Sequence, residues 1–224
     1  MVEISLILIS SVVGVLLGGF WLVFFLFEDR KKPEPRSLIT ETFLLGIATA
    51  LAAAGLEYLL AGVFGFAGNR AYLPLPIFLN GSIEEILKFL AVFLFVRKSR
   101  FFDEPVDFMV YMITVALGFA AIENLLFLHT VTSLDELFSL ASLRLIGATL
   151  MHALSSGLLG YFWAKKRLFQ GIAAASLLHG FFNYLILNFG PMFFPTILLV
   201  GVSFALFGDF DKLKNIKKIY ERRR

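Results

Sequence analysis

Seven apolar runs recur along the chain, near 4–27, 38–64, 77–96, 108–128, 142–164, 168–188 and 192–208, parted by short polar segments such as EDRKKPEPR at 28–36 and FGPM at 189–192. An α-helix needs about 20 residues to cross roughly 30 Å of hydrocarbon. The pattern therefore predicts an all-α polytopic bundle of about seven transmembrane helices. The first run is too long for the apolar region of a signal peptide, lacks a basic segment before it and ends in charges, so it reads as a helix. Loops this short leave no appended soluble domain. Residues 1–224 form one predicted transmembrane domain, with the site-bearing helices at about 77–188 and a basic tail at 209–224. Gly14 and Gly18 are spaced as GxxxG, which predicts close helix packing.

Composition makes the solvent a bilayer. At 58% hydrophobic and 17% charged, with 27 Phe in 224 residues, the chain is too apolar to hide its side chains in one soluble core. It has no cysteine, which excludes disulfides and thiolate metal sites and leaves His, carboxylate or amide ligands. Of 20 Lys and Arg, 17 fall in Arg30–Arg36, Arg97–Arg100, Lys165–Arg167 and Lys212–Arg224, segments that share one side if seven helices alternate. The positive-inside rule makes that side cytoplasmic, with the N-terminus outside and the C-terminus inside the cell membrane. The basic balance follows from this topology and gives nucleic-acid binding no separate support. The tail reads as touching anionic lipid headgroups.

Ionisable residues within the apolar runs are costly and rare in membrane helices, and they mark function. Here they are Glu84, Glu85 and Lys88 in NGSIEEILKFL, Glu123 with Asn124 in GFAAIENLLF, His152 in RLIGATLMHALSS, and His179 with Asn183 in SLLHGFFNYL. Counting up from the cytoplasmic end of each helix at 1.5 Å per residue puts Glu84, Glu85, Glu123, His152 and His179 roughly 18–24 Å deep, in one layer of the outer half. Glu84 and Lys88, Phe119 and Glu123, and His179 and Asn183 are i,i+4 pairs on shared faces. Ser82 and Glu85 also read as a capping box after Asn80-Gly81, which would start a helix at Ser82 and place the glutamates near the surface. Glu57 and Arg144 count out to the outer boundary and Glu41 to a first helical turn, so no role falls to them.

Two histidines and a carboxylate form a common hydrolytic zinc set with one position open to water. The adjacent Glu84 and Glu85 suit a general base and acid, and Asn183 or Asn124 an oxyanion donor. HExxH, a membrane aspartate pair and GxSG are all absent, and Ser155-Ser156 beside His152 is a weak serine signal. The residues leave other readings open: a zinc-dependent lipid amidase of ceramidase type, a proton-coupled transporter, or a scaffold without catalysis.

The EExxK motif at Glu84, Glu85 and Lys88, FxxxEN from Phe119 to Asn124, the His152–Ser155 segment and HGFFN at His179–Asn183 resemble, in order and spacing, the four motifs of the PrsW family. These are intramembrane metalloproteases distantly related to the CAAX-processing glutamate proteases. The resemblance implies catalytic roles for Glu84 and Glu85, and metal or transition-state ligation by His152 and His179. Related proteases carry His at the place of Glu123, here a candidate metal ligand, and the last motif often ends in Asp where this chain has Asn183. The donor set itself points to zinc as the divalent metal. Family members are implicated in trimming anti-sigma factors on their extracytoplasmic side, which agrees with an outer-half site in membrane lipid and a single-pass membrane protein as substrate; the resemblance does not carry the substrate itself over.

Overall fold

The computed structural model describes residues 2–30, 32–66 and 68–221. Arg222–Arg224, the end of the basic tail, and Lys31 lie outside the described residues. Among the described residues the fold is all helical: α1 (Val2–Leu26), α2 (Arg36–Phe64), α3 (Pro74–Ala91, continued by a π turn at Val92–Val96), α4 (Asp107–Leu128), α5 (Leu134–Ala164, with a π turn at Leu145–Thr149), α6 (Leu168–Phe189) and α7 (Phe193–Glu221). Six are long and apolar enough to cross a membrane, and the chain is a multi-pass membrane protein. The exception is α3, whose span contains Glu84, Glu85 and Lys88.

Helix α4 is the axis of the bundle, packed by α1, α2 and α5. Its sequence is apolar all round, as a fully enclosed helix requires, and every residue from Met109 to Ala121 is buried. Small residues let the neighbouring backbones close on it. A Cβ on Gly18 would lie 2.7 Å from the Leu117 carbonyl oxygen, so the Gly14/Gly18 pair is a packing seam, as its spacing predicted. Across the α2–α4 seam Gly46 and Gly118 face the opposite backbones still more closely. Leu8, Val63, Phe169 and Phe204 point outward, as lipid-facing side chains do.

Two expectations about helix starts are corrected. Helix α3 begins at Pro74, with the pyrrolidine in its first turn and Leu73 extended before it, eight residues ahead of the Ser82 capping box. Ser82 Oγ instead donates to the Phe78 carbonyl at 2.7 Å inside the helix, so the glutamates lie in its third turn and are buried. The segment after residue 129, expected as a loop, becomes helical at Leu134. Ser133 caps it by accepting from the Glu136 amide at 3.2 Å, while Glu136 Oε2 accepts from the Thr132 amide at 2.8 Å.

The basic loops meet at one end of the bundle. Lys32, ahead of α2, bonds Asp103 at 2.7 Å and Glu104 at 3.0 Å ahead of α4, and Lys214 on α7 bonds Glu28 after α1. Helix α3 with its π turn therefore runs the full way back from the far end, about 34 Å at 1.5 Å per residue.

Candidate metal centre

Helices α3 to α6 bring Glu84, Glu85, Glu123, His152 and His179 into one connected cluster around the ammonium of Lys88. The ridge Glu84–Glu85–Lys88 faces inward because α3 buries the side carrying Ile77, Gly81, Glu84, Glu85 and Lys88. Gly81 and Gly180 allow α3 and α6 to meet: a Cβ on Gly180 would lie 2.5 Å from Phe78. The aromatic ring of Phe119 then closes the lower side, 4.1 Å from Lys88 Nζ and 5.4 Å from the His152 ring.

Hydrogen bonding fixes the tautomers. Lys88 Nζ lies 2.8 Å from His152 Nδ1. Because lysine can only donate, Nδ1 must accept, and the proton sits on Nε2, which donates to Glu123 Oε2 at 2.9 Å. His179 Nδ1 donates to Glu85 Oε1 at 3.0 Å and leaves the Nε2 lone pair free. Each imidazole is thus held by a carboxylate on one nitrogen. The other nitrogens, His152 Nδ1 and His179 Nε2, lie 3.8 and 3.6 Å from Glu84 Oε2. Glu84, His152 and His179 each offer a ligand atom within 4.8 Å of the others, and all three are buried.

These donors fit a divalent cation. Metal–ligand bonds of about 2.0–2.2 Å place tetrahedral ligands roughly 3.3–3.6 Å apart, close to the separations present. Lys88 Nζ stands in as a cation, touching His152 Nδ1 and lying 3.4 Å from Glu84 Oε2. Carboxylates behind metal-facing histidines are the usual means of setting ring orientation.

The carboxylates are bound very differently. Four donors converge on Glu85: Lys88 Nζ at 2.8 Å, His179 Nδ1 at 3.0 Å, Ser155 Oγ at 3.1 Å and Ser156 Oγ at 2.7 Å. Glu123 receives His152 and, at 3.0 Å, Arg144 Nη2; its side chain is the most open of the group at 26% exposure. Among the described residues Glu84 accepts only the long bond from Lys88, at 3.4 Å.

Arg144, to which the count gave no role, is joined to the cluster through Glu123. It is buried, stacks on Phe127 at 4.2 Å, and its Nε donates to Asn124 Oδ1 at 2.6 Å. The Asn124 amide in turn donates to Thr149 at 3.0 Å, so Asn124 is spent on fastening α4 to α5. The π turn between Arg144 and His152 lets both reach the same oxygen of Glu123, and Trp21 Nε1 caps the Leu145 carbonyl at 2.7 Å. No residue count reveals a π turn. The two serines, a weak nucleophile signal, bond Glu85. Asn183, one turn beyond His179, is half-buried and bonds none of the cluster.

The description PrsW family intramembrane metalloprotease fits residues 34–207, most of the chain. Among curated proteins, Protease PrsW of Geobacillus kaustophilus is 30% identical over 185 residues, covering 78% of each chain. Protease PrsW of Clostridioides difficile is 26% identical over 79% of this chain and 77% of its own. That of Bacillus subtilis is 28% identical over 77% of this chain and 80% of its own. No solved structure matches. With a buried Glu/His/His group inside a bundle of membrane-spanning helices, and with relatives that are proteases over most of their length, this chain belongs to the PrsW family of intramembrane metalloproteases.

Proposed function

We propose that the protein hydrolyses peptide bonds of single-pass membrane proteins near the outer leaflet, using a divalent ion, zinc by its donor set, held by Glu84, His152 and His179. The observation that carries this reading is the convergence of those three ligand atoms within 4.8 Å in a buried cluster. A bound ion there supplies a Lewis acid and a water of lowered pKa.

The chain's own groups divide the remaining work. Glu85, with Lys88, His179 and Ser155 on Oε1 and Ser156 on Oε2, is the most heavily bonded carboxylate of the cluster; it orients His179 and neutralises Lys88. Glu123, pinned by Arg144, orients His152 rather than ligating. Glu84 has an oxygen free of hydrogen bonds, which takes the proton of the attacking water and returns it to the leaving amine. Asn183 lies on the His179 face of α6 and supplies an amide to the oxyanion. Basic loops gathered at one end support a cytoplasmic placement of that end, and hence an outer-half site. An anti-sigma factor is the substrate class to which the family resemblance points.

The experiment is cleavage of single-pass membrane peptides by purified protein, with bound metal measured alongside. Wild type should carry about one ion and cut; Glu84→Gln and His179→Ala should lose both. Lys88 favours a second reading, because its ammonium already fills the cation position: Glu84 then acts as base without metal. Full cleavage after chelation, lost only in Glu84→Gln, would select that reading.

A further inference from the structure

We infer that Glu57 of α2 is a further residue of this site, one that holds the divalent ion electrostatically. The inference rests on the metal-binding reading above.

Helical register aims Glu57 at the cluster. Ala50, Ala53 and Glu57 share one face of α2, and the two alanines pack with Phe119, Leu87 and Ile122, the neighbours of Lys88 and Glu123. Glu57 follows one turn further along that face, within electrostatic reach of Glu84, Glu123 and Lys88. Its Oε1 is buried and has no hydrogen-bond partner. An unpaired carboxylate oxygen in a membrane protein is expensive, and nothing in the local packing uses it. Ala53 is the last buried residue of α2, so Glu57, half-buried one turn later, lies where the helix leaves the bundle.

The charge balance says what the carboxylate is for. Counted as ionised, Glu84, Glu85 and Glu123 oppose Lys88 and Arg144 and leave one excess negative charge. Glu57 raises the excess to two, the charge of one divalent cation. A hydrocarbon surround penalises any net charge, so the loaded site is neutral only with Glu57 present. With no donor atom shown in the ligand group, Glu57 acts as a positioning residue through the field, not as a ligand.

The test is zinc affinity by chelator competition on the purified full chain in nanodiscs, for wild type, Glu57→Gln, Glu57→Asp, Glu84→Gln and Glu41→Gln. A unit charge acting on a divalent ion at about 10 Å through an effective dielectric of about 20 changes affinity at least tenfold. Glu57→Gln should therefore bind at least about tenfold more weakly, Glu57→Asp close to wild type, and Glu41→Gln, on the exposed start of the same helix, unchanged. The metal-free Glu57→Gln protein should melt at or above the wild-type temperature, since no hydrogen bond is lost; a purely structural glutamate would lower it. Equal zinc affinity in wild type and Glu57→Gln, with Glu84→Gln impaired, overturns the role of Glu57 alone. No zinc binding by wild type overturns the metal reading and this inference with it.

Discussion

The adjacent glutamates of α3 have opposite surroundings, and conservative substitution separates them. Glu85→Gln keeps the shape but removes the charge that receives Lys88 at 2.8 Å and His179 at 3.0 Å, with Ser155 and Ser156 completing the shell. Lys88 then keeps the neutral His152 Nδ1 at 2.8 Å and, as its remaining carboxylate, Glu84 at 3.4 Å, in a fully enclosed position. Breaking one side of a buried ion pair costs about 3–5 kcal/mol. For a chain of this size that lowers the melting temperature by on the order of 10 °C. Glu84→Gln forfeits only the long bond and should cost less than about 1.5 kcal/mol, while abolishing cleavage. The assay is thermal unfolding in one detergent for wild type and both variants, followed by cleavage of a membrane peptide below both melting points. Equal melting of Glu85→Gln and wild type, or a larger loss in Glu84→Gln, would refute the division of roles.

Arg144→Met should leave Glu123 and Asn124 without their shared buried donor, destabilise by about 3–5 kcal/mol and cut cleavage sharply; Arg144→Lys should not restore it, because lysine lacks the planar fork whose Nε and Nη2 reach the amide and the carboxylate separately. Gly118→Ala would set a Cβ 2.0 Å from the Phe43 carbonyl oxygen, so α2 and α4 must part; melting should show a loss of about 3 kcal/mol or more, while Gly19→Ala, with nothing within 4 Å, should be neutral. Lys32→Ala should cost less than about 1 kcal/mol, as both Lys32 and Asp103 are half exposed. Hydrogen bonds to Asp103 and then Glu104 raise the Lys32 pKa, so its contribution is complete below the pKa of free lysine and is lost only as pH rises through the raised value. The melting difference between Lys32→Ala and wild type should therefore be flat from about pH 6 to 9.

Much of the fold was legible because a membrane imposes one rule on every span. Length and hydropathy alone mark the helices, and the costly charges stand out from the apolar runs around them. The shared depth of Glu84, Glu85, Glu123, His152 and His179 followed from counting, since a helix advances uniformly. Boundaries read less well. Polar residues such as Asn80 and Ser82 suggested a helix start that Pro74 supplies instead, because a capping box competes with any earlier start whose backbone is already satisfied.

Counting failed where geometry is not uniform. Arg144 received no role because a count follows one helix at a time; the π turn and the contacts to Phe127 and Asn124 from α4 join it to the cluster. The count gave Glu57 no role either; the one inferred for it rests on its α2 face, whose alanines pack on Phe119, Leu87 and Ile122. The sequence by itself determined the solvent, the helical class and the common level at which the ionisable residues meet, all of which depend on local composition and a constant rise per residue. Only the tertiary structure decided which carboxylate is most heavily bonded, which imidazole nitrogens are free and which distant charges share the site, because those depend on side chains from different helices meeting at angles that no single helix encodes.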